Sequence, residues 1–141
     1  MASPTSKATN TTMIKIFLVL NFLVWSQTAH ADWVEIGKNE SGTFFVHAAS
    51  IEKSGDLVKM WHLIDFKRNQ VDSSTRSFRS SKDQSEYDCK EQRSRTLFYN
   101  NYAEQMGTGK IIFTMKDPFK WRSAGAGSIS ETLLKIACGK K

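Results

Sequence analysis

The stretch Ser85-Glu86-Tyr87-Asp88-Cys89-Lys90-Glu91-Gln92-Arg93-Ser94-Arg95 decides how the rest of this chain is read. Alternation at strand period places Tyr87 and Cys89 on one side, with Glu86 and Asp88 on the other. Cys89 is one of two cysteines; the second, Cys138, lies three residues from the C-terminus. A bond between them would tie the middle of the chain to its end. It would close a loop of about 50 residues, which chain entropy values at roughly 4 kcal/mol. Whether that bond forms depends on the compartment, because disulfides persist outside the reducing cytosol.

The N-terminus answers the compartment question. Lys15 supplies a positive charge, residues 16–25 are apolar except for Asn21, and Ala29-His30-Ala31 is an Ala-x-Ala cleavage site. Residues 1–31 therefore read as a signal peptide. The apolar run is half of the roughly 20 residues that span a bilayer, which disfavours the alternative of an uncleaved anchor. Residues 1–12 are polar and Ser/Thr-rich, so Met13 is a second candidate start beside Met1. Cleavage leaves Asp32 first, with no cysteine there to carry lipid and no membrane span afterwards. Residues 32–141 are 110 residues, the size of one domain. The expected location is exported, either periplasmic or at the cell surface or secreted. Two cysteines in an exported chain favour one disulfide; two buried, unpaired thiols are the alternative. The signal carries Lys7 and Lys15 and no acid, so the remainder keeps a charge of +4, two below the +6 of the whole chain. That mild excess biases encounters toward anionic surfaces without specifying one.

Outward from the central stretch, the flanks read as strands. Trp33-Val34-Glu35-Ile36 alternates, residues 37–42 carry turn chemistry, and residues 43–48 are rich in strand formers, which together predict a hairpin. Asn39-Glu40-Ser41 matches a glycosylation sequon, a short and common pattern. Residues 49–55 are expected to form a short helical turn or loop. Residues 57–66 make the strongest strand. Val58, Met60, Ile64 and Phe66 share one side and Leu57, Trp61 and Leu63 the other, so this strand belongs inside a sheet covered on both faces. Residues 67–79 lack periodicity and predict a long loop or a frayed extension of the hairpin. Residues 93–100 continue as a strand, residues 106–110 turn, and residues 110–115 form the last strand before Asp117-Pro118.

Ser128-Ile129-Ser130-Glu131 is a capping box, with Ile129, Leu133, Ile136 and Ala137 on one helical face behind it. Gly139 is a natural stop, and Cys138 falls in the last turn, at the edge of the apolar face. No cofactor or metal loop is read here. Gly107-Thr108-Gly109-Lys110 fails as a phosphate-binding loop, because Glu104 stands where its first glycine belongs and Ile111 where a Ser or Thr belongs. Gly125-Ala126-Gly127 lacks the third glycine of a dinucleotide loop. His62 has no cysteine or carboxylate at zinc-site spacing and is expected to be a hydrogen-bonded core residue.

Trp33, Trp61, Glu86-Tyr87-Asp88-Cys89, Arg93, Arg95, Gly107-x-Gly109 and the closing Ser128-x-x-Glu131-x-x-x-Lys135-x-Ala137-Cys138 together resemble the surface-adhesin protein E family. The resemblance covers nearly all of residues 32–141. It implies an α+β fold: an antiparallel sheet of about six strands with a C-terminal helix tied to it by the Cys89–Cys138 disulfide. It also implies export and, in the family's namesake, adhesion to host extracellular-matrix proteins. The namesake is tethered through lipid, whereas here Asp32 follows the expected cleavage site. Relatives often place proline before the helix cap, where this chain has Ala126-Gly127.

Three functional classes follow. The first is a non-enzymatic binding module for a host matrix or envelope protein. Its candidate basic surface comprises Arg76, Arg79 and Lys82, with Lys67 and Arg68, around one loop, or Arg93 and Arg95 leading to Tyr99 and Tyr102. The plain alternative is a solvated strand face. The second is a periplasmic structural or envelope-maintenance protein acting through strand-edge pairing or a homodimer. An enzyme is disfavoured: His47 and His62 are the only histidines after the signal, and neither sits near a nucleophile motif. The cysteines lack Cys-x-x-Cys spacing. Nucleic acid is not expected as a partner, since +4 without a recognition motif falls short of that footprint.

Overall fold

In the computed structural model, which describes residues 33–139, the alternating start becomes strand β1 (Trp33–Lys38). The expected signal peptide lies outside the described residues. Asn39 makes the turn: its side-chain oxygen accepts from the amides of Ser41 and Gly42 at 2.8 and 3.1 Å. Strand β2 (Gly42–Ser54) follows. Gly42 must be glycine because a Cβ there would lie 2.4 Å from the carbonyl oxygen of Asp65 on the neighbouring strand.

Residues 49–55 do not form the helical turn that their lack of alternation predicts. Residues 49–54 complete β2, which re-enters register at Glu52 opposite Lys59 after an irregularity between His47 and Glu52, and Gly55 makes the turn into the next strand. The Ser50 hydroxyl donates to the His47 carbonyl at 2.6 Å and accepts from the Trp61 amide at 2.8 Å, replacing ladder bonds that the bulge removes. Strand β3 (Leu57–Val71) and strand β4 (Ser77–Asp88) extend far into residues 67–79, so this polar segment is a hairpin extension, not a long loop. Its tip is closed by Asp72 Oδ1, which accepts from the amides of Ser74 and Arg76, both at 2.9 Å.

Strands β5 (Arg93–Tyr102) and β6 (Ile111–Met115) complete an antiparallel meander in the order β1-β2-β3-β4-β5-β6. A two-residue strand β7 (Arg122–Ser123), unforeseen in the sequence, pairs with the start of β5. Helix α1 (Ile129–Ala137) then crosses one face of the sheet. Ser128 Oγ accepts from the Glu131 amide at 3.2 Å as a capping box requires. Glu131 reaches back to the Gly127 amide at 2.7 Å, one residue earlier than the capping-box pattern.

Leu133, Leu134 and Ala137 pack on Val46, Val58, Met60 and Tyr87, with Ile129 and Ile136 at the margin. Each buried aliphatic side chain contributes about 1.5–3 kcal/mol. Burial pushes the Tyr87 phenol well above its ordinary range, an effect only partly offset by Ser85. The Cys89–Cys138 disulfide, with Cα atoms 5.7 Å apart, fastens the end of α1 to the end of β4. On the opposite face Leu63 is fully buried, so β3 is covered on both sides.

Candidate functional site

The face of the sheet away from α1 is built by register. Trp33, His47, Trp61, Gln84 and Phe98 stand opposite one another in turn from β1 to β5, forming one row across five strands. All five are half-buried. Trp33 and His47 lie 5.5 Å apart between ring centroids, and Trp61 meets Phe98 edge-on at 5.9 Å.

Two basic clusters flank this row. On one side Glu86 pairs in register with Arg95, and Asp88 with Arg93. Glu86 Oε2 accepts from Arg95 at 2.6 and 2.9 Å, and Asp88 Oδ2 from Arg93 at 3.1 Å. Both guanidinium groups lie against the Trp121 ring, at 4.9 Å for Arg93 and 4.5 Å for Arg95. On the other side Lys82 Nζ lies 5.1 Å from the Tyr102 ring and 5.9 Å from the Trp33 ring. A short 3-10 turn (Gln105–Gly107) rests beside it. The Met106 amide donates to Asp65 at 2.9 Å, and the Gly107 amide to Ser80 at 2.8 Å. Gly107 takes a φ of +64°, and a Cβ there would fall 2.0 Å from Lys82 Cε, so this glycine leaves the lysine its place.

The basic residues expected to share one surface separate into groups. Arg76 is held at the hairpin tip by Asp72 at 2.8 Å and lies over the Phe113 ring at 5.5 Å. Arg79 donates to the Phe66 carbonyl at 3.3 Å, and Lys67 to the Asn39 carbonyl at 2.7 Å. Lys82, Arg93 and Arg95 border the aromatic row instead. Tyr102 shares their face, but Tyr99 does not. A bulge in β5 opposite Gln84 and Ser85 turns it toward Phe113 and Phe119, at 5.8 and 6.2 Å. Trp121 is the residue that sequence reasoning missed, since residues 116–127 show no periodicity; its only signal was a large aromatic between Lys120 and Arg122.

The Asp88 carboxyl sits below its ordinary value chiefly through the Glu91 amide and also through Arg93, despite opposing burial. Among the described residues, no three or more His, Cys, Asp or Glu groups gather as a metal site. His62 is buried on the α1 face, with Nε2 3.5 Å from Asp83 Oδ2, and His47 lies in the aromatic row. The arrangement offers aromatic surface and fixed cations for contact.

The sequence model of the family described as surface-adhesin protein E matches residues 33–139. The chain belongs to the surface-adhesin protein E family. Solved structures of family protein E show the same fold at low identity. Haemophilus influenzae protein E is 16% identical with a TM-score of 0.61, over 79% of this chain and 86% of that one. Its crystal form II is 15% identical with a TM-score of 0.62, over 79% and 90%. Protein E from non-typeable Haemophilus influenzae is 15% identical with a TM-score of 0.59, over 80% and 79%. No curated protein matches the sequence. The family assignment makes this chain an adhesin-like module of α+β fold with a disulfide-fastened helix. Among the described residues no helix is long and apolar enough to cross a membrane.

Proposed function

We propose that this chain is an exported, non-enzymatic binding module that holds a protein partner on the helix-free face of its sheet. The observation that carries this reading is the row Trp33-His47-Trp61-Phe98, bordered by Trp121 with Arg93 and Arg95 and by Lys82 with Tyr102. Tryptophan, tyrosine and arginine are the residues that dominate binding energy at protein interfaces. The partner class is a host extracellular-matrix or envelope protein with an acidic contact patch, met in the periplasm or at the cell surface. Arg76 and Arg79, engaged within the fold, lie outside the site.

The test is solid-phase binding to an immobilised basement-membrane extract. The Trp61→Ala/Arg95→Glu variant loses at least tenfold in affinity, as expected for interface anchors, while Arg76→Glu/Arg79→Glu binds as the parent does. The reverse ranking sinks this reading.

A second reading is favoured by β1, a sheet-edge strand on which Val34 is 52% exposed. Such an edge offers unpaired backbone groups to a second copy, giving a homodimer that serves an envelope-maintenance role. Sedimentation at micromolar concentration distinguishes it: a dimer dispersed by Val34→Pro supports edge pairing, and a monomer removes it.

A further inference from the structure

A cleft of about 320 Å³ lies between β5 and the first turns of α1, and of the aromatic-face residues it touches only Arg95, which is already paired with Glu86. Its geometry comes from β7. The Phe119 amide donates to the Thr96 carbonyl at 2.9 Å, and Arg122 stands opposite Ser94, so residues 119–123 run along the edge of β5 where β6 has ended. The space between this edge, the sheet and the first turn of α1 is bordered by Lys120 and Arg122, with hydroxyls from Ser94, Thr96 and Ser130. No carboxylate lines it, and neither Lys120 nor Arg122 has an ion-pair partner among the described residues.

His62 also lines the cleft. Its side chain is 9% exposed, its Nε2 faces Asp83, and its Nδ1 is buried with no hydrogen-bond partner. An unpaired buried polar atom is costly and marks a place where a partner is missing. Two free cations, several hydroxyl donors and an orphan imidazole nitrogen, with no acid in the lining, match a tetrahedral oxyanion better than any cation or apolar ligand.

We propose that this cleft binds a phosphate or sulfate group, either as the free ion or as the head of a small ester, between Lys120, Arg122, Ser94, Thr96, Ser130 and His62. The volume sits at the low end of small-molecule sites and accommodates a sugar-sized ester. Phe119, 48% exposed at the lining, offers an apolar surface for the organic part. The cleft shares only Arg95 with the protein-binding face, and the variant that tests the cleft changes Lys120 and Arg122 and leaves Arg95 in place.

The test is NMR titration of the purified, disulfide-bonded protein with sodium phosphate, sodium sulfate and glucose 6-phosphate, using glucose as the neutral control. Saturable shifts are expected at the Ser94, Thr96 and Arg122 amides and at the His62 ring Nδ1, with affinity in the ~mM range. Lys120→Glu/Arg122→Glu weakens them at least about tenfold; Lys38→Glu, on β1, leaves them unchanged. Unshifted Val46 and Leu63 amides show that the variant keeps its fold. Tighter binding of glucose 6-phosphate than of the inorganic ions assigns an ester, and equal binding assigns the free ion. Absence of saturation at His62 and Ser94, saturation by glucose alone, or shifts undiminished in the double variant overturns the proposal.

Discussion

Trp121 carries two arginines on its ring, and each arginine is also tied to a carboxylate. Such half-exposed pairs and stacks contribute little to stability, about 0.5–1 kcal/mol each. Trp121→Ala is therefore expected to lower the unfolding free energy by about 1 kcal/mol or less while weakening partner binding about tenfold or more. Urea unfolding and solid-phase binding on the same sample separate the two effects, and a loss of binding matched by a collapse in stability argues against a contact role. Gly107→Ala pushes Lys82 off the Tyr102 and Trp33 rings, which changes tryptophan fluorescence; an unaltered spectrum contradicts the packing described. The Asp72, Asp88 and Glu131 carboxyls all lie below their ordinary values of 3.8 for Asp and 4.5 for Glu. The leading causes are the Arg76 amide for Asp72, the Glu91 amide for Asp88 and the Lys135 side chain for Glu131. A depressed folded value stabilises above the unfolded value and is lost as pH falls through the folded one. The urea midpoint is thus expected to hold steady above about pH 5 and to drop progressively below about pH 4. A midpoint unchanged at pH 3 contradicts these contacts.

Helix α1 is the element whose loss would expose the core. Leu133→Ala removes a side chain packed against the sheet and is expected to cost about 2–4 kcal/mol in urea unfolding. Cys138→Ser with Cys89→Ser opens a loop spanning 49 positions, a loss of roughly 4 kcal/mol in the chain-entropy account. A stability unchanged on reduction would contradict the fastening role. Much of this element was legible in advance: the Ser128 cap, the Ile129–Leu133–Ile136–Ala137 face and the position of Cys138 all follow from helical period. Leu134 was missed although it lies three positions before Ala137 on the same helical side, and it packs in the core beside Leu133. Residues 49–55 misled for another reason. A bulge repaired by the Ser50 hydroxyl lets a non-alternating segment stay in the sheet, and that repair depends on the Trp61 amide of another strand. Strand β7 was invisible because two residues carry no period; its existence depends on the free edge that β6 leaves beside Arg93 and Ser94.

For the molecule as a whole, the meander and the fastened helix divide the sheet into two faces with different chemistry. The α1 face holds the core and the oxyanion cleft; the other presents aromatic rings and cations. Sequence alternation identified both sides of β3, and the Glu86–Asp88 and Arg93–Arg95 alternations are the register pairs found between β4 and β5. The row from Trp33 to Phe98 was not legible, because it joins residues 65 positions apart through four successive strand registers. Likewise, Lys82 parted from Arg76 and Arg79 because neighbouring positions on a strand point to opposite faces, while Arg76 sits in the turn. On the proposed function, the aromatic face and not the helix face meets the protein partner. Hydroxyl-radical footprinting of the protein bound to basement-membrane extract distinguishes the two faces. Protection of Trp33, Trp61 and Trp121 with Phe119 unchanged is the predicted result. Full labelling of all three tryptophans in the bound state would contradict it.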